Sequence, residues 1–267
     1  MKYLFKEAKK WAKKLSGSSI FLFLDYDGTL VPIARTPDEA IASDGVKKLL
    51  SELSQLHQCR LAIISGRSLK DIKRIIGLKG VIYAGNHGLE LEGPGISLKK
   101  RVPLKSISRI RLICEVLKRK LSKIKGVLIE DKGLTLSLHY RLASRKDMPT
   151  IKNIFYESVA DDMFKGSVAV KTGKKVLELR PVAGWDKGKV VSWLLDRQFL
   201  ASKRGVRHLP VYIGDDITDE DAFKVLRSKG LTVFVGRPKI SYARYYLKNT
   251  REVLRFLREI TELKKKR

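Results

Sequence analysis

The stretch FLFLDYDGTLVPI, residues 21–33, joins a run of apolar side chains to two carboxylates. Its first four residues are apolar and of strand length, and Asp25, Asp27 and Gly28 follow directly. Two acids at the end of a buried strand are costly to desolvate unless they bind a cation or take part in chemistry. The stretch therefore predicts a buried strand that ends in a functional site.

The sequence after this stretch alternates between helix and strand patterns. A helix over 38–56, a strand over 60–65, a helix over 68–77 and a strand over 81–85 follow in turn. Ser68 and Asp71 have capping-box spacing, and Gly77 is a suitable C-terminal stop. Strands that alternate with helices predict a parallel sheet with right-handed crossovers.

Between residues 89 and 181 the pattern changes to that of an antiparallel sheet. Hairpin patterns over 127–141 and 168–181 alternate with helices over 108–124 and 147–163. The alternation of helices and strands returns after Pro181. We therefore predict an α/β core formed by residues 1–88 and 182–267, interrupted by an inserted α+β domain at 89–181.

The composition is that of a globular chain with an excess of positive charge. The 267 residues are 43% hydrophobic, and 56 Lys and Arg against 28 Asp and Glu give a formal net charge of +28. This excess suits a nucleic-acid binder, a membrane-surface protein or an enzyme that attracts anionic substrates. The basic residues are spread over the whole chain, as is typical of a solvated surface.

We expect a soluble, cytoplasmic protein without a membrane span. The longest apolar runs are far shorter than the roughly 20 residues that cross a bilayer. Lysines are spread through the first residues, where a signal peptide would have an apolar segment. Cys59 and Cys114 lie far apart without metal-type spacing, and we interpret them as core residues.

Further polar residues follow the predicted strands or begin the helix after the insert. They are Ser65, Lys187, Asp215 and Asp216. Ligands bind at the carboxyl ends of strands in open parallel sheets, so these residues and the two acids at 25 and 27 should meet. Several Asp without a nearby His or Cys cluster favour Mg²⁺ over zinc. A metal, a lysine, a serine and open backbone amides together predict a site for a phosphate dianion.

The motifs in their order resemble a known superfamily. DYDGT (25–29), ISGR (64–67), DKG (186–188) and GDDITDED (214–221) are similar to the four motifs of the haloacid dehalogenase (HAD) superfamily of phosphotransferases. LDYDGTL, YAGNHG, EDKGLTLSLHYR, ELRPVAGWDKG and YIGDDITDEDAF further resemble the trehalose-6-phosphate phosphatase family. The resemblance implies a Rossmann-like core and a cap domain formed by the insert.

The resemblance also implies roles in the core. Asp25 would be the nucleophile and Asp27 the general acid and base. Asp25, the backbone carbonyl of Asp27 and Asp215 would hold Mg²⁺, with Asp219 and Asp216 acting through water. The residues expected to bind the phosphoryl group are Gly28, Ser65, Gly66, Arg67 and Lys187.

In the insert, the resemblance assigns the sugar hydroxyls to four charged residues. They are Glu130, Lys132, Arg141 and Glu178. Without the resemblance, charged residues on such hairpins are usually solvated. Asn86 and His87 lie at the hinge from core to cap and are further candidates for substrate binding, although His87 is also suited to capping the turn.

The expected activity is Mg²⁺-dependent hydrolysis of trehalose 6-phosphate through a phosphoaspartate, by a monomer. Related activities on sucrose phosphate, mannosyl-3-phosphoglycerate or a broad range of sugar phosphates stay open, because the core motifs do not separate them. A nucleic-acid-binding protein on a phosphatase fold is an alternative of another class. We expect no obligatory nucleic acid, and association with a trehalose-6-phosphate synthase is left open.

Overall fold

The computed structural model describes residues 1–201, 208–237 and 240–266, with side chains except at 198–201. Its strands are β1 (Lys2–Tyr3), β2 (Ile20–Leu24), β3 (Cys59–Ile64), β4 (Ile82–Gly85), β5 (Glu90–Gly93), β6 (Ile96–Lys99), β7 (Leu128–Asp131), β8 (Leu136–His139), β9 (Val168–Gly173), β10 (Val176–Pro181), β11 (Leu209–Gly214), β12 (Leu231–Val235) and β13 (Tyr245–Leu247). Its α-helices are α1 (Ala8–Ser16), α2 (Asp44–Gln55), α3 (Leu69–Ile76), α4 (Leu104–Leu121), α5 (Met148–Phe164), α6 (Lys187–Ala201), α7 (Glu220–Leu226) and α8 (Thr250–Lys265).

The chain divides into two compact units. The first comprises residues 1–33, 40–98 and 186–267, and the second comprises residues 34–39 and 99–185. The first unit contains the large sheet, with the strand order β1-β13-β12-β11-β2-β3-β4-β5-β6. The strands from β1 to β4 in this order all run parallel to their neighbours. The predicted α/β fold with a parallel sheet is therefore confirmed.

The edge of this sheet differs from the prediction. The insert was expected to begin at residue 89, whereas β5 and β6 continue the large sheet beyond β4. Strand β5 pairs antiparallel with β4, since the chain turns back directly after β4 instead of crossing over through a helix. The long segment of the second unit consequently begins at residue 99.

The centre of the large sheet explains where the polar residues meet. Strands β2 and β11 are adjacent and parallel, with Leu24 opposite Ile213. Every residue of both strands is buried, as expected for strands covered on both faces. Asp25 and Asp215 directly follow these strands, so the pairing brings their backbones to one place.

The N- and C-terminal helices of the first unit pack on each other. The Trp11 ring of α1 contacts the Phe256 ring of α8 edge-on, at a centroid distance of 4.9 Å. The buried Lys264 of α8 donates to the carbonyl oxygens of Leu15, at 2.6 Å, and Ser18. Lys264 thus places a positive charge at the C-terminal end of α1, where it is favourable.

The second unit has a separate hydrophobic core. Its antiparallel sheet has the order β7-β8-β10-β9, which confirms the predicted hairpins. One face of the sheet packs against α4 and α5 through apolar residues that include Leu138, Leu177, Ile113 and Phe155. Because side chains alternate along a strand, the residues between them point to the opposite face, which is polar.

The cysteines agree with a further expectation. Cys59 and Cys114 are buried and free, as predicted for core residues. Within residues 1–201, 208–237 and 240–266, no helix is both long and apolar enough to span a membrane.

The core of the second unit provides a test of its packing. Phe155 is fully buried in α5, whereas Phe164, in the last turn of the same helix, is 94% exposed. We expect Phe155→Ala to lower the free energy of unfolding by about 3–5 kcal/mol, because it removes a ring from a packed core. Phe164→Ala, the matched control, should change it by less than about 0.5 kcal/mol. Urea denaturation followed by circular dichroism measures both, and equal effects would contradict the described core.

Candidate active site

Three buried carboxylates form the centre of the site. Asp25, Asp215 and Asp219 each offer an oxygen, and these oxygens all lie within 4.8 Å of one another. The residues are 6%, 3% and 0% exposed, respectively. Charges of one sign so close together in a buried place repel strongly and require a cation.

Lys187 supplies one positive charge to this cluster. Its Nζ donates to Asp25 Oδ1 and to Asp219 Oδ1, each at 2.7 Å. Lys187 is the first residue of α6, and the Asp186 side chain caps this end by accepting from the amide of Lys189 at 2.8 Å. A Cβ at Gly188 would lie 2.6 Å from the carbonyl oxygen of Asp221, so glycine permits α6 to approach α7 closely.

Asp219 is held by donors on both of its carboxylate oxygens. Oδ1 accepts from Lys187 and from the Tyr212 hydroxyl at 2.7 Å. Oδ2 accepts from the backbone amides of Asp215 at 3.0 Å and Asp216 at 2.9 Å. Asp219 therefore organises the turn after β11 and orients Lys187. Tyr212 is a residue that the sequence analysis missed.

The pKa values follow from burial and charge. Burial raises the pKa of Asp25 well above its usual range; Lys187 opposes this effect, and Asp219 and Asp215 add to it. Burial alone would lower the pKa of Lys187, but the carboxylates of Asp219 and Asp25 outweigh it and raise the pKa. Lys187 therefore stays charged, and the carboxylates still exceed the cations in this cluster.

The donor set fits a divalent cation. All three acids present oxygen, which Mg²⁺ and similar hard cations prefer. Gly28, with a φ of +86°, lines the cluster, and a Cβ there would lie 2.1 Å from Asp215 Oδ2. The backbone at Gly28 thus leaves room for the Asp215 carboxylate where any other residue would displace it.

The loop after β3 lies in the same unit. Ser65 is 1% exposed, and its Oγ accepts from the amide of Arg67 at 3.1 Å. A Cβ at Gly66 would lie 2.5 Å from Nε2 of His87, so the imidazole packs directly on this glycine. The amide of His87 in turn donates to the carbonyl of Ser65 at 2.9 Å.

The segment after β4 has an unusual backbone. Asn86 and His87 have φ values of 49° and 55°, in the left-handed region. The amide of Asn86 donates to the carbonyl of Arg67 at 2.7 Å, and its Nδ2 donates to Glu90 Oε2 at 3.0 Å. Asn86 is fully buried and fastens the loop after β3 to the start of β5.

Asp27 and Asp216, which were also predicted for this site, contact residues outside the group of three acids or cap a helix. Asp27 is bound by the Arg67 guanidinium, whose Nε and one terminal nitrogen each lie 2.8 Å from a carboxylate oxygen. Asp216 forms a capping box with Asp219 across the short helix at 217–219. The Asp216 side chain is outside the group of three acids that lie within 4.8 Å of one another.

Three of the four predicted sugar-binding residues cluster on the polar face of the second unit. Lys132 Nζ lies 3.4 Å from Glu178 Oε1 and 4.0 Å from Glu130 Oε2. His139 Nε2 lies 2.9 Å from Glu130 Oε2, and Arg180 Nε donates to Glu178 Oε2 at 2.9 Å. Glu178 and Lys132 are largely buried, so these charges are not the solvated ones expected of an exposed hairpin.

Arg141 has a different partner. It donates to the backbone carbonyl of Lys174, in the turn between β9 and β10. The sequence analysis missed His139 and Arg180. Each stands two residues from a predicted residue in the same motif: His139 from Arg141 in HYR, and Arg180 from Glu178 in ELR. Alternation along β8 and β10 is the signal that identifies them.

Comparison with known proteins gives one consistent result. Residues 23–250 match the family described as Trehalose-phosphatase. Trehalose-phosphate phosphatase B of Arabidopsis thaliana is 35% identical over 262 residues, which cover 94% of this chain and 68% of that protein. A trehalose-phosphate phosphatase of Mycobacterium marinum is 37% identical over 215 residues, which cover 80% of this chain and 53% of that protein.

A solved structure supports the same conclusion for the fold. The C-terminal domain of trehalose-6-phosphate phosphatase from C. albicans is similar, with a TM-score of 0.81 and 28% sequence identity. The match covers 94% of this chain and 96% of that one.

The glycine beside the carboxylates provides a test of the cation site. We expect millimolar MgCl₂ to raise the melting temperature of the wild-type protein, since a ligand that binds only the folded state stabilises it. Gly28→Ala should abolish this shift, because the new methyl group displaces Asp215. Gly95→Ala is the matched control: Gly95 also has a positive φ, of 67°, but nothing lies within 4 Å of its Cβ position. A normal Mg²⁺ shift in Gly28→Ala would contradict the site.

Proposed function

The chain belongs to the trehalose-phosphatase family, and on that premise we propose that it hydrolyses trehalose 6-phosphate to trehalose and phosphate. One observation supports the proposal above the others. The buried Asp25 carboxylate lies 2.7 Å from Lys187 and within 4.8 Å of two further acids, after the central strand of a parallel sheet. Such a site can hold a phosphoryl group against a nucleophile.

In the proposed first step, Asp25 is the nucleophile. A carboxylate oxygen of Asp25 attacks phosphorus, and the bond between phosphorus and the sugar oxygen breaks. Asp27 gives a proton to that oxygen as it leaves, so that trehalose departs as an alcohol. Lys187 stays charged beside Asp25 and reduces the repulsion between the carboxylate and the phosphate.

In the second step, water removes the phosphoryl group from Asp25. Asp27, now a carboxylate, takes a proton from water, whose oxygen attacks phosphorus. The bond between phosphorus and Asp25 then breaks, which releases phosphate and restores both carboxyl groups. The Asp27 side chain is 40% exposed, so water and substrate have access to it.

Mg²⁺ is the proposed cofactor. We propose that Asp25, Asp215 and the backbone carbonyl of Asp27 hold it, with Asp219 and Asp216 acting through water. Bound there, the ion would neutralise charge on the phosphoryl oxygens. The four donors to the Asp219 carboxylate support an outer role for that residue.

Specificity is proposed to come from the polar face of the second unit, which we take to be the cap. Glu130, Lys132 and Glu178, joined by Arg141, would bind the hydroxyl groups of the sugar. The contacts among the first three support this proposal, because a preformed and partly buried cluster loses little freedom on binding. His87 and Asn86 stay candidates for substrate contact.

Four statements about the oligomeric state, location and partners of the chain are predictions. We propose a monomer in the cytoplasm, with a trehalose-6-phosphate synthase as a candidate partner. Nucleic acid would bind weakly and in a salt-dependent manner, through the general attraction of the +28 charge for phosphates.

The proposed function is tested by phosphate release from a panel of substrates. We expect the highest kcat/KM for trehalose 6-phosphate, with lower values for sucrose 6-phosphate, mannosyl-3-phosphoglycerate and glucose 6-phosphate. Activity should disappear after metal stripping with EDTA and return with Mg²⁺, because the acids cannot otherwise approach a dianion. A folded Asp25→Asn protein, which lacks the proposed nucleophile, is the negative control. Activity in that protein would remove the phosphoaspartate mechanism, and a preference for another sugar would change the substrate.

The cap assignment has a separate test. Glu130→Ala and Glu178→Ala should each lower kcat/KM for trehalose 6-phosphate by roughly 10- to 1000-fold, as expected when a hydrogen bond to a charged group is lost. Hydrolysis of p-nitrophenyl phosphate, which has no sugar, should stay nearly unchanged. Glu157→Ala, at an exposed carboxylate on α5, is the matched control. Equal losses on both substrates would show that the two residues serve the fold or the phosphate site.

A further inference from the structure

A buried arginine joins two carboxylates beside the main cluster. Arg67 Nε lies 2.8 Å from Asp27 Oδ2, and one terminal nitrogen lies 2.8 Å from Asp27 Oδ1. The other terminal nitrogen lies 2.9 Å from Asp71 Oδ2. Asp27 therefore occupies, in a bidentate pair, the edge of the guanidinium formed by Nε and one terminal nitrogen.

The arginine is fixed from several sides. Its side chain is 6% exposed, and its guanidinium carbon lies 5.2 Å from the centre of the Tyr26 ring. Burial raises the pKa of Tyr26 to about 12, so its hydroxyl stays protonated and donates to the carbonyl of Ala40 at 2.8 Å. Arg67 is thus placed by a ring that is itself anchored.

Asp71 fixes the other end of the guanidinium. It stands in the first turn of α3, where its amide donates to the Ser68 cap at 3.1 Å. Its second oxygen accepts from Arg74 at 2.7 Å, and Arg74 is 70% exposed. The position of Arg67 is therefore set by the start of a helix, and Arg74 contacts Asp71 at the solvent side.

These contacts fit poorly with the role expected of Arg67 from the sequence, which was to bind phosphate. Arg67 is paired with Asp27 and Asp71, and Arg74 pairs with Asp71 as well, so the four groups together are neutral and Arg67 has no unbalanced positive charge to offer a phosphate. A phosphate dianion would have to replace a bidentate ion pair to reach the guanidinium, at a large cost in a buried place.

We propose that Arg67 is a positioning residue for Asp27, which it holds in the orientation needed for proton transfer. This inference rests on the proposed function, in which Asp27 gives a proton to the sugar oxygen and later takes one from water. Arg67 binds the carboxylate from its buried side, while the Asp27 side chain stays 40% exposed for substrate and water. Asp71 acts through Arg67.

The choice of leaving group separates this role from phosphate binding. A sugar leaves as an alkoxide and needs a proton, whereas p-nitrophenolate leaves without one. Loss of a correctly placed acid should therefore slow hydrolysis of the sugar phosphate and spare the attack of Asp25 on p-nitrophenyl phosphate. The second step needs Asp27 as a base with either substrate, so the phosphoenzyme should accumulate.

The test uses Arg67→Lys, Asp71→Asn and the matched control Arg255→Gln in the 267-residue chain with Mg²⁺. Lysine keeps the charge of Arg67 but cannot form the bidentate pair. For Arg67→Lys we expect kcat on trehalose 6-phosphate to fall about 100-fold, as for a displaced acid and base. The pre-steady-state burst of p-nitrophenol should keep its rate within about threefold and become more pronounced, and the inhibition constant of inorganic phosphate should be unchanged.

Asp71→Asn should show the same pattern with a smaller loss of about tenfold, since Arg67 is retained but less firmly held. Arg255→Gln, at an exposed arginine whose partner Glu259 lies on the same helix, α8, should leave every readout unchanged. Melting temperatures will show whether Arg67→Lys folds. If it does not, Asp71→Asn still tests the positioning role of Arg67.

Two results would overturn the inference. Equal losses on both substrates, with weaker inhibition by phosphate, would return Arg67 to the phosphate site. Unchanged turnover of the sugar phosphate in both Arg67→Lys and Asp71→Asn would leave Arg67 without a role in proton transfer. If the wild-type protein prefers another sugar phosphate, the proposed substrate fails, but the same comparison on that alkyl phosphate still tests Arg67.

Discussion

The placement of one ammonium group among three buried carboxylates is the interaction on which the rest of the site depends. Lys187 contacts Asp25 and Asp219, and Asp215 completes the group. Lys187 opposes the rise that burial causes in the pKa of Asp25, and it places a positive charge among acids that water hardly reaches. The architecture serves this arrangement, since two adjacent parallel strands deliver Asp25 and Asp215 to one point. Gly28 leaves the space that the Asp215 carboxylate occupies.

The site is locally acidic although the chain is strongly basic. Among the described side chains, Lys187 is the lysine that contacts the group of three acids, whereas Arg67 and Arg74 balance Asp27 and Asp71. The surplus of positive charge therefore lies away from these clusters. On the proposed function, a broad positive field would attract the anionic substrate over a distance, whereas the acidic centre would hold Mg²⁺. The positive surface acts over a longer range than the acidic centre, so the two charge distributions do not conflict.

The sequence was informative where local rules determine the structure. The strand ending at Leu24, the Ser68 cap and the left-handed Gly77 at the end of α3 all follow from rules of a few residues, and the structure confirms them. It was less informative where partners lie far apart in the chain. The pairing of Arg67 with Asp27 spans 40 positions and depends on how β2 and β3 align, which no spacing within either motif reveals. The role of Tyr212 was missed for the same reason, because its hydroxyl is useful only through the turn that brings Asp219 back to it.

The second unit is almost entirely one continuous segment, 99–185, and this has a consequence for how such proteins diversify. Its apolar core is formed by residues between Ile110 and Leu179, so it does not borrow packing from the catalytic sheet. None of the acids around Lys187 belongs to it. On the proposal that this segment binds the sugar, substitutions within it would change which molecule is recognised without altering the acids around Lys187. The two units can therefore accumulate substitutions at different rates, because neither depends on the other for its hydrophobic core.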